Sequence, residues 1–406
     1  MKFVRSLMLS AAVALCATAA HAQYTGGEVK IGVLSDMSSL YADTGGPGSV
    51  VAAQMAVEDF GAAKKGLKVE IVSADHQNKP DVGASIARKW FDEDGVDVIA
   101  DVPNSGVALA VANVVKEKNK VFLISGAATS DLTGKACTPN NVHWTYDTWM
   151  LAHGTGNAIV KQGGNTWFFL TSDYAFGHQL EHDTAAVVEA DGGKVLGEVR
   201  HPLNTSDFSS FLLQAQASKA KVIGLANAGG DTINSIKQAS EFGITQGGQS
   251  LAALLIFVTD IHSIGLKTAH GLLFTTAWYW DMNGPSRQFA ERFAAKRNGM
   301  HPTMGQAGVY AAVLHYLKAV YALKSDGDGN GKAVVDEMKK LPTDDPLFGK
   351  GTVRADGRVI HPAYLMEVKT PQESKGEWDV AKILQTIPAD QAFRPLNEGG
   401  CPLVKG

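Results

Sequence analysis

Cysteine is scarce in this chain, with only three among 406 residues. Cys16 sits in the N-terminal apolar stretch, so Cys137 and Cys401 are left to form one bridge at most. Basic clusters are missing too. The formal charge is −4, which excludes nucleic-acid binding by charge. Past the N-terminus no segment offers about 18 uncharged apolar residues, which excludes a later membrane span. Several catalytic signatures are absent. There is no P-loop lysine motif, no Gly-x-Ser-x-Gly elbow, and the glycines at 45, 46 and 48 do not make a dinucleotide fingerprint.

The most informative feature present is the N-terminus. Lys2 and Arg5 precede an uncharged run from Leu7 to Ala20, and Ala20-His21-Ala22 offers a small-x-small cleavage site before Gln23. This predicts a cleaved secretory signal over 1–22, and hence an exported, periplasmic protein. The run is too short for a stable membrane anchor. Acylation of Cys16 is disfavoured by the bulky Leu15 before it. Removing the segment leaves about 384 residues (406 minus 22), natural for two domains, and shifts the charge to −6 through loss of Lys2 and Arg5. In an oxidising compartment a Cys137–Cys401 bridge is expected, which would tie the C-terminal tail to the middle of the chain. Two free thiols are the alternative.

Strand and helix patterns alternate along the chain. Val29–Leu34, Lys68–Ala74, Val96–Ala100 and Val121–Ile124 read as strands, separated by helical periodicity over Ser49–Phe60, Asp81–Asp92 and Val107–Glu117. A second run of the same kind begins near Tyr146, with strands expected at Thr166–Leu170, Lys194–Val199, Lys221–Leu225 and Leu254–Thr259. Such βαβα order predicts an α/β protein with parallel sheets covered by helices on both faces. After Leu272–Thr276 come three helical stretches, then strands around Asp356-Gly357, then an irregular tail.

Ligands of open parallel sheets bind beyond the carboxyl ends of the strands. The turns there are Ser35 to Tyr41 and on to Gly48, Asp101 to Gly106, and Ile124 to Ser130 in the first half. Each brings hydroxyls or amides next to small residues, where unpaired backbone N–H groups favour a carboxylate. The second half offers Thr171 to Gly177, Asn227 to Asp231, and Thr259 to His262. Trp144, Tyr146 and Trp278-Tyr279-Trp280 stand where the halves join. They can sandwich a planar ligand or simply pack the interface.

Ile124-Ser125-Gly126-Ala127-Ala128-Thr129-Ser130 and Ser172-Asp173-Tyr174-Ala175-Phe176-Gly177, with the exported start and two α/β halves, resemble the type I periplasmic solute-binding proteins of ABC importers. The leucine/isoleucine/valine-binding branch is the nearest, over about Val29 to Val368. The resemblance implies two Rossmann-like lobes joined by a three-crossover hinge that close on a small solute. It implies no cofactor and no metal, a membrane permease as partner, and no catalysis. Boundaries are expected at 23–145 plus 277–345 for the N-terminal lobe and 146–276 plus 346–385 for the other, with 386–406 as the tail. Asn104, Ser105, Ala127, Ala128 and Thr129 would hold a ligand carboxylate. Phe176 would pack on it, with Tyr174 and Tyr41 nearby, and Tyr146, Asn227, Asp260 and Trp278 would complete the site.

Two departures matter. The family's amino acid binders hold the ligand ammonium with a glutamate in the last loop, where this chain has only Asp260. The aromatic before the first-turn glycine is Thr44 here, with Tyr41 displaced. A small organic carboxylate without an ammonium, aromatic or otherwise hydrophobic, fits this pattern. A branched-chain or other amino acid is the alternative, and a secreted enzyme using Asp36, Asp173, Asp260 and His262 is the rival from another class. Asp326 to Glu337 matches calcium-loop spacing, but Val334 supplies no side-chain oxygen at the ninth position, so a Gly/Asp turn between helices is expected. His178 and His182 lack the metalloprotease glutamate and read as solvated side chains.

Overall fold

A computed structural model describes residues 28–325 and 329–405. The expected signal segment, Cys16 included, and the first three residues of the acidic turn, Asp326 to Asp328, lie outside the described residues. No helix among the described residues is long and apolar enough to cross a membrane.

Five parallel strands form the first sheet: β1 Val29–Ser35, β2 Val69–Asp75, β3 Val98–Asp101, β4 Val121–Ile124 and β5 Asn141–His143. Their order is β2-β1-β3-β4-β5. Val29, Ile31, Val33 and Leu34 are fully buried, as expected for a strand covered on both faces. Four parallel strands form the second: β6 Thr166–Ser172, β7 Lys194–His201, β8 Val222–Ala226 and β9 Ser250–Ala253. Their order, β7-β6-β8-β9, repeats the first four positions of the first sheet. In both sheets the order reverses beside the first strand in sequence, between β1 and β3 and between β6 and β8. A crevice opens at such a switch point, beyond the strand ends.

The remaining strands are antiparallel. β10 Leu273–Thr276 pairs with β14 Ala363–Val368, which pairs with β15 Ala381–Ile387. β11 Thr343–Asp345, β12 Gly349–Val353 and β13 Val359–Ile360 form a small third sheet. A bridge between His143 and Arg358 lays this small sheet against the edge of β5. The strands β11 to β13 thus lie beside the first sheet, ahead of β14. A hairpin pattern alone does not say which sheet it joins.

The chain crosses between the lobes three times, after β5, after β10 and before β14. Arg358, fully buried, ties the first and third passages. It donates to the carbonyls of Trp144 (2.6 Å) and Tyr146 (3.3 Å) and approaches Asp147 at 3.4 Å. His361 reaches the same Trp144 carbonyl at 2.9 Å. The long helix Met304–Leu323 returns to the first lobe and packs along Gly46–Phe60.

Cys137 and Cys401 are joined by a disulfide, with Cα atoms 5.6 Å apart. Cys401 is not the sole anchor of the tail. Arg394 donates to the Ser130 carbonyl at 2.8 Å, and the Phe393 ring lies 4.2 Å from the Arg358 guanidinium.

The apolar run expected as a strand over Leu254–Thr259 is not one. β9 is the less apolar Ser250–Ala253, and the helix Val258–Ile264 follows. Leu255 and Phe257 of the run line the cavity described next, and Ile256 and Val258 pack into the second lobe's core.

Candidate functional site

Asp36, at the carboxyl end of β1, organises the first turn. Its carboxylate accepts from the backbone N–H groups of Ser38, Ser39 and Tyr41, from the Ser39 hydroxyl and from Asn78 Nδ2. Burial pushes this carboxyl up, yet the donors from Tyr41, Ser39 and Asn78 outweigh it and hold it below the usual range. The turn is thereby fixed, with the Leu40 carbonyl and the Tyr41 ring facing the second lobe. Gly230 N–H donates to that carbonyl at 3.4 Å. Gly229 has φ 59°, and a Cβ there would collide with the same carbonyl, so only glycine suits this inter-lobe contact.

β3 ends under strain. Asp101 and Val102 have φ 81° and 56°, a region a β-branched residue rarely occupies. Asp101 is fully buried, and Ser35 Oγ donates to it at 2.7 Å. Burial raises its carboxyl to about 6. The bend brings Pro103 and Gly126 together. A Cβ on Gly126 would lie 2.7 Å from both the Pro103 Cα and Asp101 Oδ1.

Between the lobes lies a small cavity. The first lobe lines it with Tyr41, Thr44, Pro103, Gly126, Ala128 and Gly305, and Tyr146 stands at the first crossover. The second lobe contributes Tyr174, Phe176, Ala228, Leu255 and Phe257. No lining residue carries a charge. Tyr146 and Phe257 meet edge-on with centroids 6.0 Å apart, and Tyr174 and Phe176 stand 5.9 Å apart. The Tyr146 hydroxyl donates to the Gly126 carbonyl at 2.6 Å, and the Thr44 hydroxyl to the Tyr41 carbonyl at 3.0 Å. The hydroxyls of Tyr41 and Tyr174 meet across the cleft at 2.6 Å.

The structure thus brings Tyr41, Ala128, Tyr146, Tyr174 and Phe176 around one cavity. The other residues singled out from sequence lie outside its lining. Asn104 caps the helix Ser105–Lys118 by accepting from Val107 N–H at 3.1 Å. Ser105 Oγ accepts from Thr129 N–H, and Thr129 Oγ1 from Asp131 N–H. Ala127 is buried, with its carbonyl against the His143 ring. Asn227 accepts from the Thr232 hydroxyl at 2.8 Å. Asp260 accepts from Phe257 N–H at 2.9 Å, and burial raises its carboxyl to about 7. Trp278 donates to Ser286 Oγ and packs on Phe289. Leu255 and Phe257 were hidden in the supposed strand. Gly305 gave no signal, because it arrives from a distant helix start.

A family model described as periplasmic binding protein matches residues 28–377. The chain belongs to the periplasmic binding protein family. A periplasmic binding protein from Burkholderia mallei is 54% identical, covering 93% of this chain and 99% of that one, with a TM-score of 0.90. A protein from Burkholderia xenovorans LB400, described as a branched chain amino acid ABC transporter periplasmic ligand-binding protein, is 42% identical. It covers 93% and 100% of the two chains, with a TM-score of 0.81. The Leu/Ile/Val-binding protein homolog 6 of Brucella melitensis is 26% identical over 373 residues, 89% of this chain and 92% of that one. This periplasmic binding protein is a substrate-binding protein of an ABC transporter, a class that captures small ligands and works with a membrane permease.

Proposed function

We propose that this periplasmic binding protein captures a small carboxylate with an aromatic or otherwise hydrophobic body and delivers it unchanged to its permease. One observation carries the reading: the cavity is walled by rings and small residues, with no charged side chain in its lining. An α-amino acid would leave its ammonium without a carboxylate partner there, and an unpaired buried charge is costly. A carboxylate has a better prospect against the small-residue wall of Pro103, Gly126 and Ala128, where backbone can approach closely. Tyr41, Tyr146, Tyr174, Phe176 and Phe257 would enclose the ligand body.

Capture works by hinge closure of the second lobe over a ligand seated on the first. Release to the permease requires reopening, so an affinity near micromolar, about −8 kcal/mol, suits the task. Export would be accompanied by cleavage after Ala22, which N-terminal sequencing of the exported protein would read as Gln23. A thermal-shift panel of benzoates, cinnamates, aliphatic acids and amino acids tests the ligand class. Stabilisation by benzoates or cinnamates is expected. Stabilisation by leucine with none by the acids would overturn the reading.

A further inference from the structure

The hydroxyl groups of the cavity can be counted out. Side-chain hydroxyls in the lining belong to Tyr41, Thr44, Tyr146 and Tyr174. Thr44 and Tyr146 spend their protons on the backbone carbonyls of Tyr41 and Gly126. Tyr41 and Tyr174 meet only each other, at 2.6 Å. Burial pushes both phenols above their ordinary range, so both keep their protons at neutral pH. Two phenols hold two protons, and one hydrogen bond between them uses one. The accepting phenol therefore retains a free O–H, polarised by the bond it receives.

We propose that Tyr41 and Tyr174 form an inter-lobe latch whose spare proton is the one side-chain O–H the lining offers to the ligand. The latch has two parts. The bond between the phenols holds the lobes closed, since Tyr41 follows β1 and Tyr174 follows β6. The remaining O–H selects a ligand that presents an acceptor oxygen, such as a carboxylate. Tyr41 is well placed for this because Asp36 fixes its backbone and Thr44 holds its carbonyl. Gly230 docking on the Leu40 carbonyl brings the second lobe into register beside it. The inference rests on the solute-binding reading above and adds which atoms join closure to ligand choice.

The test uses Tyr41→Phe, Tyr174→Phe and the double variant of the full exported chain, with benzoate as probe. Small-angle X-ray scattering without ligand reads closure, and isothermal titration reads affinity. Either single substitution breaks the latch, so both should open the ligand-free protein equally, and the double should open it no further. Affinity should fall in two steps. Each single variant keeps one phenol proton and loses about threefold to fivefold, and the double loses about tenfold more, in line with one hydrogen bond per step. Scattering unchanged in either single, or a double variant binding benzoate as well as the singles, would overturn the proposal. If no acid of the panel binds the unaltered protein, the carboxylate reading falls, and scattering alone still decides the latch.

Discussion

The two lobes share a sheet topology but bring a different balance of small and bulky residues to the cleft. The first lobe presents mostly small residues, Pro103, Gly126, Ala128 and Gly305, beside the Tyr41 ring and over strained and tightly tied backbone. The second presents bulk, Tyr174, Phe176, Leu255 and Phe257. Small residues let backbone approach a ligand, which suits a charged group that wants N–H donors. Rings supply apolar area and shape. In the proposed function the first lobe would hold the ligand's head and the second would enclose its body, although both arise from the same βαβ plan.

The sharpest way to break this contrast is to put bulk on the first wall. Gly126→Val would drive a side chain into Pro103 and Asp101. Binding of any ligand should weaken by at least about a hundredfold by isothermal titration, with about 1–3 kcal/mol of stability lost by chemical denaturation. The converse removes bulk from the second wall. Phe257→Ala should weaken binding by about tenfold to a hundredfold, by loss of apolar contact rather than a clash. A bulky substitution tolerated on the first wall, or a ring deleted from the second without cost, would end the distinction.

The buried acids offer a finer comparison. Asp101 behind the first wall is raised to about 6, and Asp231 and Asp260 of the second lobe to about 7, each chiefly by burial. A carboxyl raised on folding contributes stability that is full below its unfolded pKa of about 4 and is lost as pH rises through its folded value. His76, His315 and His361, pressed down to about 4 by burial, act in the opposite sense. Their contribution is full above about 6.5 and is lost as pH falls toward 4. The opposing slopes should leave the protein's melting temperature nearly flat between pH 4 and 6.5. Asp260→Asn removes one falling contribution, so its melting temperature should rise by about 2–5 °C relative to the unaltered protein between pH 4 and 7. Asp101→Asn should show the same trend, ending nearer pH 6. Equal pH windows for the two variants would erase the difference between the walls.

The smallest expected effect concerns a residue that holds the first wall from behind. Asn104→Ala should cost about 1 kcal/mol in denaturation through loss of the helix cap, with affinity changed less than about threefold.

Much of this was legible in the sequence, for local reasons. Buried parallel strands write continuous apolar runs, and the turns after β1, β4 and β6 carry the glycines, serines and aspartates that such turns need. Tyr41, Ala128, Tyr174 and Phe176 stood in those turns. The opaque parts were non-local. Leu254 to Thr259 satisfies the strand pattern but splits between the cavity wall, at Leu255 and Phe257, and the core. β5 is too short to show a period, and β15 is mostly exposed on one edge. Asn104, Asp260 and Asn227 lie outside the cavity lining, with side-chain oxygens that accept from Val107 N–H, Phe257 N–H and the Thr232 hydroxyl. The meeting of Tyr41 with Tyr174 joins residues 133 positions apart, which no spacing rule reports.

The bond between Cys137 and Cys401 joins positions 264 residues apart, and the interval contains the whole second sheet and all three crossovers. Outside the cell's reducing interior, such a closed covalent circuit has a practical result. A protease that nicks any surface loop within that span produces no separate fragments, and the cut ends stay tethered beside their native neighbours.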